Sequence, residues 1–361
     1  MNGLRERLEQ EYGFSVYDIR ERGGCRVLET DQGIFYLHSC PAAYRSKNKL
    51  VEKAEKLFAG PTPYNVLPLY QTKAGKPYFT LEDEMHYLHQ GVREQTPDNP
   101  PYETGRVLAE FHQGTRNFTG DRPFMTSYQS LGNWPTMWQK KVRAYETLRD
   151  DLERDGELSE FDTWLLTMFT YVHTMAETSI QYLNDSGYSK IVKQMGKYGK
   201  LVYQNFDDGY ILFSEAGMNL TGQYGWVMDM RTRDIGQWLK ASVRRDGWDP
   251  EAFIQFVDGY NRVSPLFDEE YAIAYAMMLY PGRFLRMADT YSKLTAAEQG
   301  QLDTAALQRE MEESLLVMED GLRDYPELVL RYWGVAIPRV QWLWRQADDE
   351  ALRVYDPPGI F

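Results

Sequence analysis

Leu201-Val202-Tyr203-Gln204-Asn205-Phe206-Asp207-Asp208-Gly209-Tyr210-Ile211-Leu212 runs apolar, polar, apolar. Short apolar runs bounded by turn residues read as strands. The stretch 201–213 therefore predicts a strand-rich island that continues at 226–230. What lies around it makes it decisive. Residues 102–118, 134–154, 160–183, 250–263, 268–279, 281–291, 305–322 and 338–347 carry apolar residues at helical spacing. The island is the one break in a long helical region.

Toward the N-terminus the period changes to two. Phe14, Val16 and Ile19, then Cys25, Val27 and Leu28, then Ile34, Phe35, Tyr36 and Leu37 alternate across turns at Gly23-Gly24 and Asp31-Gln32-Gly33. That pattern predicts a three-stranded antiparallel meander. A helix over 42–58 follows, with Leu50, Val51, Ala54 and Leu57 on one face, and then strands over 66–71 and 77–81. Residues 93–101 are polar and proline-rich and predict a linker. The predicted fold class is α+β: a β-rich lobe with one helix at 1–92, a hinge at 93–101, and a mostly helical lobe at 102–361.

The 361 residues carry a formal net charge of −13. Such an acidic surface repels a phosphate backbone, so nucleic acid is not an expected partner. No run reaches the roughly 18–20 apolar residues of a membrane span, so no membrane is expected either. Residues 1–13, with Leu4 and Leu8, form a charged amphipathic segment without the apolar core of a signal peptide. Cys25 and Cys40 cannot build a disulfide framework and lack metal-site spacing.

A small β lobe, a hinge and a large helical lobe with an internal hairpin are the layout of kinase-like folds. The loop within 201–212 resembles that of aminoglycoside-phosphotransferase-like kinases, which reads His-Gly-Asp, four residues, Asn, then two apolar residues. Phosphoryl transfer from ATP depends on positioning and charge neutralisation by a phosphate-covering loop, a strand Lys, a catalytic Asp and metal-holding Asn and Asp residues. By this resemblance Tyr203 stands at the His, Gln204 at the Gly, Asn205 at the base and Tyr210 at the metal Asn. An amide does not take up a proton at neutral pH, and a phenol is a poor Mg²⁺ ligand. His38 stands where the third strand would carry the phosphate Lys, followed by Glu52 and Glu55 on the next helix. Asp229 is the one ligand-type residue retained, and it is the candidate metal site. Asp234 resembles a conserved structural acid at a helix start, here expected to act as an N-cap. The turn at 20–24 lacks spaced glycines.

Narrower likenesses come from Gly132-Asn133-Trp134-Pro135, from 138–143 and from 279–284. These resemble CotS-like spore coat proteins, within them the YutH branch. The resemblance implies a spore coat protein, made in the mother-cell cytoplasm, whose partners are other spore coat proteins. With the degenerate positions it implies a pseudokinase with no catalytic residues and no ATP or Mg²⁺ cofactor. Two alternatives stay open. One is an active phosphotransferase using Asp229 with Asp207 or Asp208. The other is an inert nucleotide-binding switch. Outside that frame, Glu84, His86 and His89 have loose metal-like spacing at the expected hinge. His112 and His173 read as satisfied core histidines.

Overall fold

The computed structural model describes residues 2–58, 60, 62–154, 157–195 and 199–343. Helix α1 (Asn2–Tyr12) precedes the meander β1 (Val16–Arg22), β2 (Cys25–Thr30) and β3 (Gly33–Pro41). A 3-10 turn (Ala42–Lys47) leads into α2 (Asn48–Phe58), then β4 (Tyr64–Val66), β5 (Leu69–Tyr70), β6 (Phe79–Leu81) and β7 (Glu84–Gln90). Helices α3 (Pro100–Gly114), α4 (Arg122–Ser127), α5 (Trp134–Arg154), α6 (Glu160–Asp185) and α7 (Tyr188–Gln194) follow. The strand island comprises β8 (Lys200–Tyr203), β9 (Ile211–Ser214), β10 (Gly217–Leu220) and β11 (Trp226–Asp229). The chain continues through α8 (Thr232–Asp246), α9 (Pro250–Val263), α10 (Asp268–Leu279), α11 (Gly282–Tyr291), α12 (Ala296–Gln299) and α13 (Thr304–Trp333).

Two compact units result. The first takes residues up to 131, 195–238 and 255–265; the second takes 132–194, 239–254 and 266 onward. In the first unit an antiparallel sheet runs in the order β1-β2-β3-β7-β5, with β6 also on β7. Strand β3 shows how this sheet serves a site. Phe35 and Leu37 pack with Leu8, Tyr12 and Leu28 on one face. Tyr36 and His38, on the alternate positions, point to the other. All four are buried, so the strand reads as continuously apolar rather than alternating. Covering Leu8 alone contributes about 2 kcal/mol.

Strand β7 adds to the sequence reading. Residues 84–90, for which no strand is predicted, form an inner strand of the β-rich part, paired from Phe35↔Gln90 to Pro41↔Glu84. Its five central residues are buried, and burial on both faces removes the period-two signal. A second small sheet, β4-β10-β9, includes the parallel pair Met218↔Tyr64 to Leu220↔Val66. Strands β8 and β11 form a two-stranded ladder, Tyr203↔Trp226 to Lys200↔Asp229. Helices α3 and α9 cross at Gly105, where an added Cβ would strike the Phe256 carbonyl. Only glycine permits that approach.

The second unit is helical. Trp138 stacks on Tyr280 with ring centroids 4.3 Å apart, and the half-buried Lys240 side chain donates to the Tyr280 carbonyl at 2.5 Å. Helix α13 runs eleven residues past its predicted end at 322. Pro326 leaves the Leu322 carbonyl without its helical N–H donor, and the Tyr275 hydroxyl donates to it at 3.0 Å. Of the helix predicted over 338–347, residues 341–343 form a helical turn and 344–347 lie outside the described residues.

Candidate functional site

The loop after β8 is held from below by a buried polar network. Asp234 accepts the Tyr203 backbone N–H on both carboxylate oxygens, at 2.9 and 3.1 Å. His112 on α3 meets Asp234 Oδ2 through Nε2 at 2.9 Å and the Tyr260 hydroxyl through Nδ1 at 2.7 Å. His112 and Asp234 are fully buried. Burial keeps His112 well below the usual histidine range and pushes the Asp234 carboxyl well above the usual carboxylate range. Asp234 is therefore structural, as expected, but not as a helix cap. Helix α8 begins at Thr232, and the Asp234 carboxylate reaches across to the loop. His112 is a satisfied core histidine. His173 is not: it is half-exposed and pairs with Glu146 at 2.9 Å.

Above this support the chemistry-bearing positions are occupied otherwise. Asn205 is exposed. Tyr203 is buried, its hydroxyl donating to the Thr221 carbonyl at 2.8 Å. The Tyr210 ring stacks on Tyr203 at 5.0 Å and lies 5.4 Å from His38. Gly24 and Gly222 flank the ring so closely that a Cβ on either would meet it at 3.1 or 3.0 Å. His38 stacks on Tyr87 at 5.2 Å. Among the described residues neither His38 ring nitrogen has a hydrogen-bond partner. Burial drives its pKa well down, so the ring is neutral where a phosphate lysine would be charged. Glu52 is exposed and Glu55 half-buried.

The metal-type acid has its own counter-ion. Asp229 is fully buried; its Oδ1 accepts the Met230 N–H at 2.8 Å and its Oδ2 accepts the Arg233 guanidinium at 2.7 Å. The same guanidinium donates through Nε to the Gln204 carbonyl at 3.0 Å. Lys47 approaches from the end of the 3-10 turn Ala42–Lys47, donating to Gln204 Oε1 at 3.1 Å and the Tyr224 carbonyl at 3.0 Å. Its ammonium also lies 4.0 Å over the Tyr44 ring, and burial lowers its pKa to about 8. This donor set does not fit Mg²⁺. Both Asp229 oxygens are engaged, and the partner position is an aromatic Tyr210.

The turn that would cover phosphates is tied to the loop. Asp207 Oδ1 accepts N–H groups from Gly24 at 2.9 Å and Gly209 at 3.0 Å. Arg22 donates to the Gly209 carbonyl at 3.2 Å and pairs with Glu94 at 2.6 Å, and Glu94 in turn accepts the Tyr36 hydroxyl. Asp208 opens a 3-10 turn, Asp208–Tyr210. The loose Glu84, His86 and His89 set lies on β7: His86 bonds Ser39 at 2.7 Å, His89 the Pro68 carbonyl at 3.1 Å. Among the described residues no group of three His, Cys, Asp or Glu side chains could hold a metal. Cys25 and Cys40 are free thiols with pKa values pushed up to about 12 by burial.

Of the residues singled out in the sequence, ring contacts join His38, Tyr203 and Tyr210, and Asp229 is linked to the loop through Arg233 and the Gln204 carbonyl. Sequence reasoning missed Lys47, Arg22, Glu94 and the partnership of Arg233. The last had a signal: Asp229 and Arg233 are four apart at a strand-to-helix junction. Lys47 had none, since its partners are more than 150 residues away.

Solved structures with similar folds include phosphotransferases and kinases. An aminoglycoside phosphotransferase from Alicyclobacillus acidocaldarius aligns with TM-score 0.59 at 18% identity, over 87% of this chain and 94% of that one. A microcompartment-associated aminopropanol kinase aligns with TM-score 0.55 at 12% identity, over 90% and 98%. At such identities the likeness is one of fold, and the fold is kinase-like. Among curated proteins, the endospore coat-associated protein YutH of Bacillus subtilis (strain 168) is 22% identical over 73% of this chain and 78% of its own length. Spore coat protein S of the same organism is 21% identical over 45% and 46%. Residues 5–319 match the family described as "Spore coat putative kinase YutH". The chain belongs to that family.

Proposed function

We propose that this protein is a pseudokinase of the spore coat, a non-catalytic kinase-fold protein that acts by binding other coat proteins. It is made in the mother-cell cytoplasm and taken into the coat. The observation that carries the non-catalytic part is the loop itself: an exposed Asn205 at the base position, and Tyr210 stacked over Tyr203 where a metal ligand would stand. Neither the Asn205 amide nor the Tyr210 phenol takes a proton from an acceptor hydroxyl at neutral pH. The coat part rests on family membership and on what its relatives are.

The relocated-chemistry alternative fares worse on geometry. Asp229 is engaged by Arg233, and Asp207 by the Gly24 and Gly209 N–H groups. The test is phosphoryl transfer from ATP or GTP with Mg²⁺ or Mn²⁺ across hydroxyl and amine acceptors. The expected result is none. Turnover lost in Asp229→Ala would overturn the non-catalytic reading. A fluorescent fusion in a sporulating host should ring the forespore, and a signal that stays diffuse in the mother cell would overturn the coat assignment.

A further inference from the structure

Asp229 Oδ2 and the Gln204 carbonyl are two hard oxygens of the kind a divalent cation bridges. One guanidinium bridges them instead, at 2.7 and 3.0 Å. Arg233 is itself buried, 9% exposed, and Asp229 is fully so. Two charges out of water persist only as a pair with their hydrogen bonds made. On the other side of the loop the charges are reversed. Backbone N–H groups of the kind that cradle phosphate are taken at Gly24 and Gly209 by the Asp207 carboxylate.

We propose that Arg233 is a built-in replacement for the divalent cation at Asp229, as Asp207 is a built-in anion at the Gly24 turn. The fold thus supplies from its own side chains the charges a metal–nucleotide complex would bring. This deepens the pseudokinase reading and rests on it. The closed site is then ligand-independent, and a cation site at Asp229 lies one substitution away. Arg233→Ala removes the guanidinium that bridges the two oxygens. No single change at Asn205 or Tyr210 would do so.

The experiment is thermal unfolding of the wild type and Arg233→Ala with and without millimolar Mn²⁺, with no nucleotide or acceptor present. We expect the variant to melt lower than the wild type. Mn²⁺ should raise the variant's Tm by about 3 °C or more and the wild type's by less than about 1 °C. A folded variant that ignores Mn²⁺, or a wild type that responds equally, overturns the proposal. If Arg233→Ala does not fold, the double variant Asp229→Asn/Arg233→Ala decides. Recovery of folding supports mutual neutralisation, and failure to recover overturns it. These outcomes are separate from the transfer assay: turnover by the wild type would sink the pseudokinase reading, whereas the Mn²⁺ arms involve no phosphoryl transfer.

Discussion

The two sides of the loop following β8 tell opposite stories. Below it, His112, Asp234 and Tyr260 form a dry polar network in which each contact joins a donor to an acceptor. Above it, His38 lies buried among Tyr87, His89 and Tyr210, and among the described residues neither of its nitrogens has a hydrogen-bond partner. The lower side fixes the backbone path that a kinase loop needs. On the proposed pseudokinase reading, the upper side lacks the groups that would use that path. Loop geometry and loop chemistry are held by different residues, so one persists without the other.

The sharpest way to break this contrast is from below. Asp234→Ala removes the acceptor of the Tyr203 N–H and the partner of His112 in one step. Leaving buried polar groups unpaired at this scale costs about 3–5 kcal/mol. Denaturant unfolding measures it, with Asp234→Asn expected to lose less because an amide oxygen still accepts. The counterpart from above is Tyr210→Ala. It removes a ring packed on Tyr203, His38, Gly24 and Gly222, at about 3 kcal/mol by transfer and cavity terms. If Tyr210→Ala were neutral, the upper side would be loosely filled and the contrast would fail.

How much of this was legible beforehand divides along the same line. The meander, the helices α5, α9 and α10 and the position of the loop follow from local periodicity, and the structure places them as the pattern predicts. Strand β7 was hidden because both its faces are covered. Strand β10 was hidden because its four residues, Gly217–Leu220, include a glycine and an asparagine and carry no strand-like alternation. The end of α13 was misjudged because Pro326 normally stops a helix, and the compensating Tyr275 hydroxyl comes from another helix. In the site, residue types at loop spacing could be read, since they are consecutive. Their partners could not: Lys47 with Gln204, Arg22 with Gly209 and His112 with Asp234 are joined only by folding.

Acid should cost stability on both sides of the loop, since burial lowers the pKa of His112 below it as well as those of His38 and His89 above it. His89 has its pKa lowered to about 4 by burial, and His38 is lowered in the same direction. In the unfolded chain a histidine titrates near 6.5. Between those values the unfolded state binds more protons, so stability is full above about pH 6.5 and declines as pH falls. Going from pH 7 to 5, His89 alone should cost about 2 kcal/mol. Chemical denaturation across that range measures the slope, and His89→Gln should flatten it. An unchanged slope would mean that protons reach the ring in the folded state, so that the upper side is not dry.

The smallest effect is the most pointed. Asn205→Asp restores a carboxylate at the base position, on an exposed side chain, and should change stability by less than about 0.5 kcal/mol. If one missing base were all that separated this chain from a kinase, the variant would transfer phosphate. The expected outcome is no transfer. Phosphoryl transfer also needs the phosphates and metal ions held in place, while Gly24 is engaged by Asp207, Asp229 by Arg233, and position 38 carries a neutral ring. Detectable turnover in Asn205→Asp would show that the upper side opens to a metal–nucleotide complex. The built-in charges would then be a latch rather than a permanent substitution.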